Sequence, residues 1–135
     1  KNHETYDYFC CLTATSPLRD EKDIRNCNKI IKKHKPNFLM ATTDFYYDPM
    51  EALEKKKNHV IPLFKNEINI RKKKSLCVDN GSIYFCRVDK FKKYQTFYGP
   101  NLINYHMPRI KSIDVNNNED LEILKIFFKE MRKKK

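Results

Sequence analysis

The chain has 135 residues, 40% of them hydrophobic, and a formal net charge of +11 at pH 7. That length suits one domain with a buried core, and the apolar content excludes a disordered chain. No run approaches the ~18 apolar residues of a membrane span, and Lys1-Asn2-His3-Glu4 lacks the apolar core of a signal peptide.

The chain opens without methionine and enters an apolar strand almost at once, which reads as an internal start. Asp7 to Thr13, with Tyr8, Phe9, Cys10, Cys11 and Leu12, predicts a strand covered on both faces. Pro17 breaks it. Asp20 is placed to cap a helix in which Ile24, Cys27, Ile30 and Ile31 form an apolar stripe, and Pro36 ends that helix. Asn37 to Tyr46 reads as the next strand, Pro49 to Lys57 as a short polar helix or turn, and His59 to Phe64 as a short strand. Gly81, one of two glycines, opens an alternating run: Ile83, Phe85 and Arg87 on one face, Ser82, Tyr84 and Cys86 on the other. This predicts a strand entered through a tight Asn-Gly turn. Val88 to Lys93 predicts a short helix, Leu102 to Met107 a return to the sheet, and Ile113 to Val115 a last short strand. Asn117 is placed to cap a C-terminal helix that turns Leu121, Leu124, Ile126, Phe127 and Phe128 toward the core. Strand, helix, strand at this spacing implies right-handed crossovers, an α/β class and a largely parallel sheet.

The five cysteines (Cys10, Cys11, Cys27, Cys77 and Cys86) have no Cys-x-x-Cys spacing, so they read as reduced thiols of a cytoplasmic protein and argue against zinc. The lysine clusters Lys32-Lys33-His34-Lys35, Lys55-Lys56-Lys57, Arg71-Lys72-Lys73-Lys74 and Arg132-Lys133-Lys134-Lys135 are dispersed, mainly at helix ends and turns. Cations there complement helix dipoles and stay solvated. No nucleic-acid-binding motif accompanies the charge, so solvated surface is the better reading and no nucleic-acid or membrane partner is expected.

Three stretches stand out: Thr15-Ser16-Pro17-Leu18-Arg19 at a strand end, Asn80-Gly81-Ser82-Ile83-Tyr84, and Ser112-Ile113-Asp114-Val115-Asn116 before a helix. Their order, spacing and placement resemble the Thr-Ser-Pro-Leu-Arg, Asn-Gly-Ala-Ile-Tyr and Ser-Ile-Asp-Ile-Asp signatures of the acylneuraminate cytidylyltransferases. These are the CMP-sialic acid synthetases and their legionaminic and pseudaminic acid relatives. The resemblance covers essentially the whole chain, as the C-terminal part of a single cytidylyltransferase domain.

The resemblance implies a Rossmann-like nucleotidyltransferase sheet of the nucleotide-diphospho-sugar transferase type, working as a homodimer, with about 48–74 as a dimerisation segment. It implies transfer of a cytidylyl group from CTP to the anomeric hydroxyl of a nine-carbon α-keto acid sugar, with release of pyrophosphate. Asp114 matches the first acidic ligand of a catalytic Mg²⁺, and Asn116 stands at the second. Asn80 and Tyr84 match positions lining the sugar pocket. Phe97 and Tyr98 match an aromatic pair on the sugar's apolar face. Thr15, Ser16 and Arg19 lie where the strand opens toward the site, in keeping with ligands at carboxyl ends of strands.

Three departures accompany the likeness. Asn116 replaces the family's second carboxylate, and Thr13 stands where a substrate-binding glutamine is frequent. The family's N-terminal basic, glycine-containing loop, which cradles the CTP phosphates, has no counterpart here. The alternative is therefore a truncated or decayed, non-catalytic homologue that keeps the fold and a dimer or sugar contact. Each matched side chain also has a structural reading: a strand tyrosine, rings over a sheet edge, an Asn-Gly turn, or a carboxylate at a helix start.

Overall fold

The computed structural model describes residues 4–64 and 75–133. The chain divides into two compact units, Lys1–Thr43 with Asp79–Lys135, and Asp44–Val78.

In the larger unit, β1 (Tyr8–Leu12) leads to α1 (Glu21–His34) and then to β2 (Phe38–Thr43). The start of α1 is a capping box: Asp20 accepts from the Asp23 N–H at 3.1 Å, and the Asp23 carboxylate accepts from the Asp20 N–H at 2.9 Å. Lys35, in the left-handed region at φ 45°, closes the helix by donating its N–H to the Ile31 carbonyl, one residue before Pro36. The stripe of α1 lies on the sheet, where Cys27 and Ile31 meet Leu39, Ala41, Ile83 and Met107 in the core. Every residue of β2 is buried. Full burial of one such aliphatic side chain stabilises by about 1.5–3 kcal/mol.

β5 (Val78–Arg87) runs into α2 (Val88–Tyr94), β6 (Leu102–His106), a short 3-10 turn at Arg109–Lys111 and α3 (Asn118–Lys133). The sheet order is β1-β5-β2-β6. β1 pairs antiparallel with β5, from Tyr8 opposite Arg87 to Leu12 opposite Ile83, while β2 and β6 are parallel. The Arg87 N–H donates to the Asn37 carbonyl, so β5 ends where β2 begins and runs against it as well. The expected largely parallel sheet is thus corrected to a mixed one in which antiparallel pairing dominates. The reason lies in the connection. β5 ends beside Asn37 and β6 starts beside Phe38, so α2 and the loop after it join the two strands at one end of the sheet and make no crossover back along β5.

Other expectations are corrected too. β1 is an edge strand with Cys10 and Leu12 exposed, and the doubly covered strand is β2. Asn80 and Gly81 lie inside β5 rather than in a turn before it. Residues Ile113 to Val115 form no strand; the Val115 N–H makes a single backbone bond to the Thr15 carbonyl at 2.9 Å. Asn117 caps α3, accepting from the Asp120 N–H at 3.0 Å. Of the five α3 side chains expected in the core, Leu124 is buried and Phe127 half-buried, while Leu121, Ile126 and Phe128 are exposed. Among the described residues no helix is long and apolar enough to cross a membrane.

The smaller unit holds a 3-10 turn, Pro49–Glu51, capped by Asp48, and an antiparallel hairpin of β3 (Leu53–Lys56) and β4 (His59–Pro62). The sequence reading of Pro49 to Lys57 as one helix or turn fails at Leu53. Lys57 turns the hairpin in the left-handed region, at φ 41°. The segment 48–74 falls in this unit, and its residues 65–74 lie outside the described residues.

Candidate functional site

The three sequence motifs meet where β1 ends and the first half of β5 begins. β1 stops pairing at Leu12, opposite Ile83, so the backbone of β5 before Ile83 is released from that ladder. Gly81 uses the freedom. Its φ of 68° is left-handed, and a Cβ there would stand 3.0 Å from Oδ2 of Asp114. Its N–H donates to Asp79 Oδ1 at 2.9 Å, and the Ser82 N–H donates to Asn80 Oδ1 at 3.2 Å.

This break changes which face each side chain occupies. In an unbroken strand, residues five apart point to opposite faces. Yet the Tyr84 hydroxyl lies 3.0 and 2.9 Å from the two carboxylate oxygens of Asp79. Asn80, an even-numbered neighbour of Tyr84, reaches instead to Met107 of the α1-side core. Gly81 therefore shifts the alternation by one position, as a glycine bulge does.

Pairwise hydrogen bonds join the motifs. The Thr13 hydroxyl donates to the Gly81 carbonyl, and the Ser16 hydroxyl approaches the same carbonyl at 3.3 Å and Asp114 Oδ1 at 3.5 Å. Arg19 donates through Nη1 to the carbonyls of Thr13 at 2.6 Å and Ser16 at 2.9 Å. The Thr15 carbonyl takes the Val115 N–H. The Asn80 amide donates to the Ser112 hydroxyl at 2.9 Å, and Ser112 donates on to the Pro108 carbonyl at 3.0 Å. Asn116 donates from Nδ2 to Asp114 Oδ2 at 3.1 Å.

The loop carrying Asp114 is also tied to α1. Lys111 bridges Asp20 at 2.8 Å and the buried Asp23 at 2.5 Å, and Tyr105 donates to Asp23 at 3.0 Å. Hydrogen bonding from Lys111, opposed in part by desolvation, draws the Asp20 carboxyl down to about 2, and these acidic partners raise the Lys111 ammonium against the opposing cost of its own burial.

An aromatic cluster covers the sheet face away from α1. Phe97 packs on Tyr84 at 4.8 Å between ring centres, on Phe91 at 5.3 Å and on Phe9 at 6.1 Å. Tyr98, 63% exposed, places its hydroxyl 2.5 Å from Asp79 Oδ2. Burial, followed by the Asp79 hydrogen bond, pushes the Tyr84 phenol well above its ordinary range. The Asp79 bond, ahead of burial, pushes that of Tyr98 up to about 12. Gly99, next along, is fixed by close approach: a Cβ there would fall 2.2 Å from the ring of Phe38.

Tyr84, Phe97 and Tyr98 thus stand together beside Asp79, and Asp114, Asn116 and Ser16 gather against Gly81. Thr15 is exposed at the rim. Asn80, only 5% exposed, and Arg19 spend the bonds described above on holding the loops together. Sequence reasoning passed over Asp79 and Ser112. Asp79 was hidden because odd spacing from Tyr84 places the two on opposite faces of any regular strand; the adjacent Asn-Gly was the available signal.

Asp114 offers a carboxylate, which the missing Cβ of Gly81 lets stand close to the main chain, and Asn116 an amide oxygen once its amide turns over. These hard oxygen donors suit Mg²⁺, which takes one or two carboxylates and completes its shell with phosphate oxygens and water.

No protein-family model matches the chain. It is 25% identical over 130 residues to the pseudaminic acid cytidylyltransferases of two Campylobacter jejuni subsp. jejuni strains, 81-176 and NCTC 11168. The match takes in 94% of this chain and 56% of each relative, so the chain spans little more than half their length. By sequence the chain is thus similar to pseudaminic acid cytidylyltransferases along part of their length.

Proposed function

We propose that the chain forms the sugar-binding and metal-binding side of an enzyme that transfers a cytidylyl group from CTP to a nonulosonic acid, giving the CMP-sugar and pyrophosphate. The observation that carries this reading is the meeting of the three motifs around Gly81 and Asp114, in a chain matched along 94% of its length by two pseudaminic acid cytidylyltransferases.

In this reading the rings of Tyr84 and Phe97 cover the apolar face of the sugar, and Tyr98 and the Thr15 hydroxyl border it. Asp114 and Asn116 would hold Mg²⁺, whose charge, when bound, stabilises the negative phosphates as the sugar hydroxyl attacks. Ser16 and Asn80 act as positioning residues: each ties the Gly81 turn to the 112–116 loop. Arg19 fixes the carbonyls of the first motif, so its contribution is to loop shape. The enzyme would be a cytoplasmic homodimer, and the hairpin unit, with Leu53, Val60 and Leu63 exposed, is the segment we assign to dimer contact. One observation favours the non-catalytic alternative: Asn116 stands in place of a second carboxylate.

The test supplies the chain, joined to the part of a Campylobacter enzyme that it does not match, with CTP, Mg²⁺ and pseudaminic acid, and measures pyrophosphate release. Asp114→Ala is expected to lower turnover at least a hundredfold, whereas Asn116→Asp raises it. An added unit charge a few ångströms from a divalent ion is worth several kcal/mol at an effective dielectric near ~20, before desolvation. Turnover unaltered by both changes would overturn the metal assignment. Absence of any CMP-sugar in all versions would favour the non-catalytic reading.

A further inference from the structure

The ion cluster at the start of α1 sits between two of the motifs, and the cytidylyl-transfer reading gives it no role. Asp20 and Asp23 follow the first motif, and Lys111 directly precedes the third. The Lys111 ammonium lies 2.8 Å from Asp20 Oδ2 and 2.5 Å from Asp23 Oδ2. Asp23 is 4% exposed, and its carboxylate also accepts from the Asp20 N–H at 2.9 Å and from the hydroxyl of Tyr105, on β6, at 3.0 Å. One carboxylate thus joins the helix cap, the sheet and the 109–111 turn. A buried carboxylate that loses its cation keeps an uncompensated charge out of water, whereas an exposed pair such as Arg25 with Glu21 parts and re-forms at little cost. Lys111 is therefore a fixed tether. It holds one end of the segment that carries Asp114. Next to it Ser112 is bonded to Asn80 of the second motif at 2.9 Å, and beyond Asp114 the Val115 N–H meets the Thr15 carbonyl at 2.9 Å. These holds fix the chain on both sides of Asp114 and leave its carboxylate to Ser16, Asn116 and a ligand.

We propose that Lys111 is a positioning residue for the metal-binding side of the site. Clamped by Asp20 and Asp23, it sets how the third motif stands against the first, and so where Asp114 and Asn116 present their oxygens to Mg²⁺. That ion demands a near-ideal octahedron and is sensitive to such placement. Groups that only orient the ligands of a metal typically change its affinity or the activity by about 10–100-fold. This rests on the metal-binding reading above and adds to it a residue that touches neither metal nor substrate.

The test titrates Mn²⁺, a paramagnetic stand-in for Mg²⁺, into the whole chain. Broadening of the Asp114 and Asn116 backbone NMR signals gives its affinity in the folded molecules alone. Lys111→Met keeps the apolar stem and removes the charge, and is expected to weaken Mn²⁺ about tenfold. Lys111→Arg puts a cation back between the two carboxylates and should restore most of that affinity. Asp20→Asn keeps a competent helix cap. It gives up one half-exposed charge partner, for an expected loss of about threefold, the scale of such a pair. In the joined enzyme, Lys111→Met should raise the Mg²⁺ concentration needed for half-maximal rate by the same factor and leave the KM for the sugar acid unchanged, a split that general loss of structure would not give. Unaltered Mn²⁺ affinity in Lys111→Met, or no recovery in Lys111→Arg, overturns the positioning role while the metal reading stands. Should Lys111→Met fail to fold, Asp20→Asn decides: affinity equal to the parent overturns the proposal, and the expected loss supports it. If Mn²⁺ broadens neither signal in the parent, the metal reading falls and this proposal with it.

Discussion

Toward its C-terminal end, β5 is held by backbone pairing with β1 from Ile83 to Arg87 and by apolar side chains on both faces. Toward its N-terminal end, from Asp79 to Ser82, the pairing with β1 has ended and bonds to side chains take its place: those of Asp79 and Asn80 within the strand, and those of Thr13, Ser16 and Ser112 from outside it. The first arrangement tolerates many apolar sequences of similar volume. The second depends on particular donors and acceptors, because each buried polar group that loses its partner costs about 1–3 kcal/mol. One strand thus serves as a framework element at one end and as a site element at the other, and Gly81 marks the boundary.

Three substitutions break or sharpen that contrast. Ile83→Ala, at a fully buried position on the framework side, should have the largest effect on stability, about 2–5 kcal/mol, read from urea unfolding. A loss below 1 kcal/mol would mean the core recloses and that the framework end is not held by packing. Gly81→Ala should cost about 1–2 kcal/mol for the left-handed backbone and push on Asp114 Oδ2, 3.0 Å from the new Cβ. Its signature is a changed environment for Tyr84 and Tyr98 in NMR spectra; unchanged tyrosine signals would separate the turn from the site. Arg87→Ala should do least. Its partly exposed pair with Asp89, 3.0 Å apart, is screened by solvent, and such pairs contribute about 0–1 kcal/mol. A larger loss would make side-chain charge a support of the framework end as well.

Much of the molecule is legible in the sequence where local signals and tertiary packing agree. In α1 the Asp20 cap, the Cys27 and Ile31 stripe and the break at Pro36 all act within a few residues of one another, and the helix forms where they place it. The direction of β5 is not legible, because it depends on the end of the sheet at which the chain enters and leaves it rather than on any pattern inside the strand. The α3 stripe is legible as a helix signal, but periodicity cannot say what lies opposite it, and Ile126 remains exposed. The three motifs announce the site, yet they do not separate side chains that face a ligand from those that brace the loops. Asn80 and Arg19 are of the second kind by their bonds, and Asp79, outside the matched signature, joins Tyr84 only because the backbone turns over at Gly81.

That turnover has a practical consequence for anyone recombining this chain with a relative. On either side of Gly81 the strand is counted in a different frame, much as a reading frame is displaced by one inserted letter. A hybrid whose crossover falls between Asp79 and Tyr84, and which keeps every aligned residue but loses or gains one position, would exchange the two faces of everything before the join. Asp79 would leave its tyrosines and Asn80 would leave Ser112, although no individual residue had been altered. Crossovers placed at Arg87 or later keep the whole counted segment in one parent, and are the safe positions for such exchange.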